Sequence, residues 1–214
     1  MLPPATIGPG EFFPVVGVGP HPKPWPGGNQ YDPELLELGD RRNVLDKYRY
    51  WSVDAIVADL NTKRHLLQIA IENWQHDLNI GSIVRTANAF NVSLVHIIGK
   101  RDWNKRGAMV TDRYLTVMHH PTVADFATWA RVNDVPIIGI DNVPTSKQLE
   151  GAQVPEKCVL LFGQEGGGMS DEAIEICAVL YAIEQYGSTR SMNASAAGAI
   201  AMYHWALQHL PRRT

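Results

Sequence analysis

Residues 158–172, CVLLFGQEGGGMSDE, decide the fold. The apolar run CVLLF leads directly into a glycine-rich loop. Ser170 can then cap a helix whose first turn carries Asp171 and Glu172. A strand without polar alternation that passes through a tight loop into a helix is typical of a parallel sheet covered on both faces.

The same alternation of apolar runs and helical segments continues along the chain. It predicts strands at 65–71, 93–99, 135–141, 158–163 and 179–185, and helices at 79–90, 122–133, 170–178 and 193–210. This order indicates an α/β fold, in which a parallel sheet has helices on both faces. Because such sheets bind ligands at the carboxyl ends of their strands, we expect the chemistry in the loops that follow those ends.

The first part of the chain has a different composition. Proline and glycine are concentrated in residues 1–30, which predicts an irregular segment, and residues 33–60 are predicted to be helical. We therefore divide the chain into a Pro/Gly-rich start with a helical basic and aromatic arm, 1–62, and one α/β domain, 63–214. The arm carries Arg41 and Arg42 close to aromatic residues, which suits either a solvated helix face or contact with RNA.

Composition limits the classes of function. The chain has 214 residues, of which 45% are hydrophobic and 19% charged, and its formal net charge is -3, so it is globular without an overall charge that favours nucleic acid. We find neither a signal peptide nor an apolar run of membrane length, and expect a cytoplasmic protein. Cys158 and Cys177 lack metal or redox spacing, so we expect buried thiols and no metal site.

The glycine loop, GQEGGGMSDE (163–172), has no Gly-Lys-Ser/Thr ending, and two acids stand at the helix start where a phosphate would bind. It also lacks the G-x-G-x-x-G spacing of a dinucleotide site, which argues against a nucleotide-dependent dehydrogenase. Two interpretations remain. The loop is a tight turn, or its backbone holds a neutral or positively charged ligand.

Two further loops follow predicted strands. In GKRDWNKRGAM (99–109), four cations surround Trp103, which suits either a solvated loop or a nucleic-acid backbone; they are Lys100, Arg101, Lys105 and Arg106. The stretch 185–205 opens its helix with Ala194, Ser195 and further small residues. These permit close approach of another helix or of a flat ligand.

The segment NIGSIVRTANAF (79–90) places a single cation in an amphipathic helix. One apolar stripe is predicted at helical spacing, formed by Ile80, Ile83, Val84, Ala87 and Phe90. Arg85 falls on the opposite side, where it can point into solvent. Because the helix begins at a strand's carboxyl end, with Asn79 at its predicted N-cap, Arg85 could instead meet a phosphodiester.

Three segments occur in order, each at a strand-to-helix junction. They are N-x-G-x-x-x-R-T-A-x-x-F from Asn79 to Phe90, G-x-E-G-x-G from Gly163 to Gly168, and S-x-N-x-S from Ser191 to Ser195. Together they resemble the SpoU/TrmH family of RNA ribose 2′-O-methyltransferases, within the SPOUT class. The resemblance covers about residues 63–210.

The resemblance implies a deep C-terminal trefoil knot, a homodimer, S-adenosylmethionine as cofactor and RNA as substrate. The residues that it implies for catalysis are Arg85, Asn79, Glu165, Ser191 and Asn193. Those that it implies for the cofactor are Ile140, Leu161, Gly163, Glu165, Gly166, Ile183, Met192 and Ser195. RNA contact is expected from Arg41, Arg42, Lys100, Arg101, Lys105 and Arg106.

Within the family, the arginine at the position of Arg85 is tied to activation of the ribose hydroxyl. A guanidinium is a poor base at neutral pH, so two roles stay open: Arg85 binds an RNA phosphate and eases alkoxide formation, or it loses its proton and acts as the base. We expect tRNA rather than rRNA. The alternative is a non-catalytic RNA-binding or ribosome-assembly protein with the same fold. Two departures from the family pattern are Asn91, where glycine is common, and Gln164, where a small residue is common.

Overall fold

A computed structural model describes residues 17–74, 79–164 and 166–211. The chain divides into two compact units, Met1–Leu60 and Asn61–Thr214, and each is described by itself. Within the described residues, no helix combines the length and the apolar character needed to cross a membrane.

From residue 17 onwards, the first unit contains two short helices, α1 (Pro33–Leu38) and most of α2 (Val53–Asn61), and a 3-10 turn at Asp46–Tyr48. The continuous helical segment predicted over 33–60 is therefore wrong. Gly39 ends α1 with a φ of 93°, and the carboxylate of Asp40 is fully buried, where it organises a loop instead of a helix.

Asp40 holds that loop through several donors. Its carboxylate accepts hydrogen bonds from the Nε and Nη2 atoms of Arg42, at 2.9 and 2.7 Å, and from the backbone N–H groups of Arg42 and Tyr50, both at 3.0 Å. Burial alone would raise the pKa of this carboxyl group, but the hydrogen bonds and the charge of Arg42 outweigh it and lower the pKa. The Tyr50 hydroxyl also donates to the carbonyl of Gly19 at 2.6 Å, which ties the segment before α1 to this loop.

The described part of the second unit forms one seven-stranded sheet, in which every pair of neighbouring strands is parallel. The spatial order is β3-β2-β1-β6-β4-β7-β5. The strands are β1 (His65–Asn73), β2 (Val92–Gly99), β3 (Val117–His120), β4 (Ile137–Ile140), β5 (Lys147–Gln148), β6 (Cys158–Phe162) and β7 (Val179–Ala182). The five predicted strands are confirmed, and β3 and β5 are additional.

Helices cover both faces of the sheet. α3 (Asn79–Ala89) and α6 (Ala194–His209) share one apolar core, which includes Ile83 and Trp205. α4 (Val123–Val132) and α5 (Asp171–Glu175) share the other, which includes Phe126 and Ala173. The predicted α/β class and all four predicted helices of this unit are therefore confirmed.

A buried polar chain crosses β1, β2 and β3. His96 Nδ1 lies 2.9 Å from His120 Nε2, and His96 Nε2 lies 3.0 Å from Gln68 Oε1. The rings of Phe126 and Trp129 pack against both histidines. Burial, with a smaller contribution from the charge of His120, lowers the pKa of His96 to about 3, so this chain is uncharged near neutral pH.

Candidate functional site

A pocket of about 570 Å³ opens at the carboxyl ends of β4, β6 and β7, next to the start of α6. This is the edge of a parallel sheet at which ligands bind, and the volume falls within the range of small-molecule sites. Its lining includes Ile140, Asp141, Asn142, Phe162, the glycine-loop residues Gly163, Gln164 and Gly166–Met169, then Ile183, Gln185, Arg190, the segment Ser191–Ala194 and Ala197.

The glycine loop is folded tightly enough to exclude a side chain at its first position. A Cβ atom added to Gly163 would lie 2.1 Å from the carbonyl carbon of Gly168 and 2.2 Å from the nitrogen of Met169. Gln164 and Gly168 exchange two backbone hydrogen bonds of 3.1 Å, and Gly166 and Gly168 have positive φ angles. The interpretation as a tight turn is therefore confirmed. The loop also forms a wall of the pocket, and its binding of a ligand stays a prediction.

Asp141 fixes that loop and was missed by the sequence analysis. Its Oδ2 atom accepts from the N–H of Met169 at 2.6 Å, and its Oδ1 atom accepts from the N–H of Asn142 at 2.7 Å. The signal that could have found it is its place directly after an apolar strand, where ligand-binding loops of parallel sheets begin. Asp141 brings a negative charge into the lining of the pocket.

The helix that follows the glycine loop begins as expected. The Ser170 hydroxyl accepts from the N–H of Ala173 at 3.2 Å and so caps α5. It also donates to the buried Glu72 at 2.7 Å, which joins the end of β1 to the start of α5.

A direct contact joins the first and third motifs. Asn193 caps α6, because its Oδ1 atom accepts from the N–H groups of Ser195 and Ala196 at 3.0 and 3.3 Å. Its Nδ2 atom donates to Oδ1 of Asn79 at 2.8 Å, and Asn79 is buried at the first position of α3. Residues 114 positions apart are therefore bonded side chain to side chain at the edge of the pocket.

Arg85 lies on the outer side of α3. The four inner positions of the predicted stripe are buried, while Arg85 is exposed and its side chain forms no hydrogen bond or ion pair with the described residues. It follows Asn79 by six residues, which is about 9 Å along the helix axis. Its guanidinium is therefore available to a ligand that approaches from solvent.

The loop that connects β2 to β3, residues 100–116, contains the four cations around Trp103 and is called the basic loop below. It packs directly on α3. A Cβ atom on Gly81 would lie 2.7 Å from the nitrogen of Ala108, and one on Gly107 would lie 2.8 Å from the nitrogen of Ser82. All four cations of this loop are exposed, and Lys105 pairs with Asp112 at 3.1 Å. The structure thus brings this basic loop to the helix that carries Arg85.

The predicted aromatic member of the loop has a structural role. Trp103 is partly buried and packs against the core shared by α3 and α6, and the Lys105 ammonium group lies 5.4 Å from its ring centre. Arg42 of the first unit is likewise engaged internally, at Asp40, whereas Arg41 is exposed.

Only some of the residues predicted to bind the cofactor line the pocket. Ile140, Gly163, Gly166, Ile183 and Met192 line the pocket, together with Ser191 and Asn193 of the predicted catalytic set. Leu161 instead belongs to the core under α4 and α5. Ser195 lies behind Asn193, to which its hydroxyl donates at 2.5 Å. Glu165 lies outside the described residues.

The two thiols are free and stand apart from the described pocket lining. Burial raises the pKa of Cys158 to about 12, and burial, with a smaller effect of the Glu72 charge, raises that of Cys177 to about 12. Both are therefore protonated near neutral pH and neither is a reactive thiolate.

Residues 66–203 match the model of the SpoU rRNA Methylase family. The tRNA (guanosine(18)-2'-O)-methyltransferase of Borreliella burgdorferi is 26% identical over 67% of this chain and 67% of that protein. The enzyme of the same name from Escherichia coli is 26% identical over 64% of this chain. The chain spans 61% of the length of that second relative.

A solved structure has the same fold. The SpoU methyltransferase AviRb from Streptomyces viridochromogenes, in complex with the cofactor AdoMet, superposes with a TM-score of 0.63 and 21% identity. The superposition covers 72% of this chain and 62% of that one.

Proposed function

The chain belongs to the SpoU rRNA Methylase family, and we propose that it is an S-adenosylmethionine-dependent RNA 2′-O-ribose methyltransferase. One observation carries the proposal: the Asn79–Asn193 hydrogen bond joins the first and third motifs beside the pocket that the second motif helps to form. The names of the relatives from Borreliella burgdorferi and Escherichia coli support the same reaction.

The pocket fits S-adenosylmethionine in size and in character. Its loop offers backbone groups at glycines, and Asp141 contributes a carboxylate near a cationic ligand. The AdoMet complex of the Streptomyces viridochromogenes enzyme, which shares this fold, supports the choice. Ile140, Gly163, Gly166, Ile183 and Met192 would hold the cofactor, which supplies an electrophilic methyl group when bound.

The chain's own residues would position the ribose. Ser191 and Asn193 line the pocket, and Asn193 is held by Asn79, so its amide is fixed in one orientation. Arg85 would meet the RNA from the exposed side of α3, as a phosphate ligand or as the base that takes the hydroxyl proton. Catalysis would then come mainly from holding the 2′-oxygen in line with the methyl group.

Transfer of labelled methyl from S-adenosylmethionine to bulk tRNA and bulk rRNA tests the proposal. We expect label in tRNA, in nuclease-resistant 2′-O-methyl dinucleotides, because both named relatives act on tRNA. Arg85→Ala should abolish transfer while cofactor affinity and thermal stability stay close to those of the wild type. Cofactor binding without transfer to either RNA would favour the alternative of a non-catalytic RNA-binding protein.

A homodimer is part of the proposal. Three exposed apolar residues of α6, Ile200, Tyr203 and Leu207, follow one another at intervals of three and four and so share a face. Light scattering after gel filtration should give twice the mass of the chain. Tyr203→Glu with Leu207→Glu should give the single mass, and a monomeric wild type would contradict this part.

The trefoil knot, the cytoplasmic location and the absence of a metal complete the proposal. They rest on the sequence and on family membership.

A further inference from the structure

One cation of the pocket wall has no role in the proposed methyl transfer. Arg190 lies between β7 and α6, directly before Ser191, and it lines the pocket. It is exposed, and its side chain forms no hydrogen bond or ion pair with the described residues. Within the described lining, Asp141 is the other charged residue, and both its carboxylate oxygens already accept backbone N–H groups. Arg190 is therefore available for a ligand.

The main chain of Arg190 is fixed although it lies in a loop. Its carbonyl oxygen accepts from Nδ2 of Asn142 at 2.9 Å and from Nε2 of Gln185 at 3.3 Å. Asn142 follows β4 and Gln185 follows β7, so two neighbouring strand ends anchor this one residue. The main chain that carries the guanidinium is thus already ordered, so binding of a ligand need not order it.

A second, smaller pocket adjoins the first. It has a volume of about 370 Å³, and the two pockets share Asn142, Ile183, Gln185 and Arg190. The rest of its lining is mostly polar and consists of Gln148, Ala182, Glu184 and Thr189. The carboxylate of Glu184 accepts from the Tyr186 hydroxyl at 3.1 Å. Arg190 therefore stands on the wall between the cofactor pocket and a polar groove.

The chemistry of a guanidinium selects an anion. A sulfonium is cationic and would not pair with Arg190, so the available anions are the RNA phosphodiester and the carboxylate of the cofactor. The exposure of Arg190 and its position at the polar groove favour the RNA. We propose that Arg190 binds the phosphodiester beside the target ribose and so positions that ribose against Ser191 and Asn193. This inference rests on the proposed function.

The test measures RNA binding separately from methyl transfer. A fluorescein-labelled tRNA transcript is titrated with Arg190→Ala, Arg190→Lys and the wild type, each saturated with S-adenosylhomocysteine, at several salt concentrations. Arg131→Ala is the matched control, because Arg131 is an exposed arginine of α4, whose core lies on the other face of the sheet. Isothermal titration of each variant with S-adenosylmethionine gives the cofactor affinity.

We expect Arg190→Ala to bind tRNA roughly tenfold more weakly, since it loses a charge-assisted hydrogen bond. The slope of log affinity against log salt should become shallower by about 0.7 to 0.9, the value for one phosphate contact. Arg190→Lys should recover part of the affinity, and Arg131→Ala should match the wild type. Affinity for S-adenosylmethionine should not change.

Other outcomes overturn the inference. If Arg190→Ala weakens cofactor binding and leaves RNA binding unchanged, Arg190 binds the carboxylate of the cofactor instead. If neither affinity changes, Arg190 binds neither ligand. If the wild type binds tRNA without methylating it, the proposed activity is contradicted. The binding comparison would still show whether Arg190 contacts the RNA. A wild type that binds no tRNA would reject the substrate and this inference together.

Discussion

Two loops leave the same edge of the sheet, and they form their tight turns differently. The pocket loop, 163–169, places glycine at its left-handed positions, Gly166 and Gly168. The basic loop, 100–116, places Met109 and Val110 there, with φ angles of 47° and 66°. Where the backbone lines the pocket, glycine leaves no side chain in the way. The basic loop keeps side chains in the left-handed conformation, which is strained and costs energy. The side chains of Met109 and Val110 are exposed, at 64% and 53%.

The largest effect is expected in the pocket loop. Gly163→Ala would place a methyl group within 2.4 Å of three backbone atoms of Gly168 and Met169, so the loop must open. We expect unfolding free energy to fall by on the order of 3 kcal/mol and cofactor binding to be lost. Chemical denaturation and isothermal titration measure these.

Gly187→Ala is the control for that change, because a Cβ atom there would meet nothing within 4 Å. It should keep both wild-type values. A Gly163→Ala protein with normal cofactor affinity would show that the pocket loop tolerates side chains as the basic loop does.

Acid should destabilise the second unit through the buried histidines near the edge of the sheet formed by β2 and β3. His96 and His120 lie in β2 and β3, the strands that the basic loop connects. The pKa of His96 is lowered from 6.5 to about 3, so the unfolded chain binds a proton at higher pH than the folded chain does. The contribution of the neutral His96 to the free energy of unfolding is therefore fully present well above pH 6.5. It is lost as the pH drops towards 3, and the loss is about 2 kcal/mol at pH 5.

Urea denaturation at pH 7 and pH 5 measures this loss. His96→Gln should lower stability at both values but show a smaller difference between them. His209→Gln, which changes a histidine of α6, should keep the wild-type difference. An equal pH difference in all three proteins would rule out His96 as its source.

A smaller effect is expected from the charges of the basic loop. Lys105→Ala with Arg106→Ala should weaken tRNA binding roughly tenfold and make its salt dependence shallower, while cofactor affinity stays unchanged. Fluorescence anisotropy at several salt concentrations measures it. The matched control is Arg131→Ala with Lys157→Ala, which removes two exposed cations elsewhere in the unit. An unchanged salt slope would mean that the basic loop is simply solvated.

The smallest expected effect is a gain in stability. Asparagine tolerates the left-handed conformation better than valine does, so Val110→Asn should raise unfolding free energy by about 1 kcal/mol. Val132→Asn is the control, since Val132 is also exposed but ends α4 without a positive φ. A loss of stability in Val110→Asn would show that Val110 makes contacts that offset its strain.

The sequence predicted the larger unit well because its signals are local. Continuous apolar runs such as CVLLF define buried strands, and caps such as Ser170 and Asn193 define helix starts. β3 and β5 were missed, because β3 ends in two histidines and β5 has two exposed polar residues, so neither shows the apolar signal of a buried strand.

The misses in the first unit and in the site have a different cause, namely contacts between distant residues. The predicted helix breaks at Asp40, whose buried charge is satisfied partly by Tyr50, ten residues away. Asp141 and Arg190 came into the site only through the fold, which brings the ends of β4 and β7 together. No local pattern around Arg190 marks it as part of a pocket, and for Asp141 the local signal is limited to its place directly after an apolar strand.

The backbone contact between Gly81 and Gly107 has a consequence for evolution and engineering. Each glycine leaves the space that the other's main chain occupies, so a side chain at either position displaces the basic loop from α3. The two positions should therefore vary together among relatives. A basic loop transplanted from another enzyme to alter RNA preference would pack against α3 only if it has glycine at the position of Gly107.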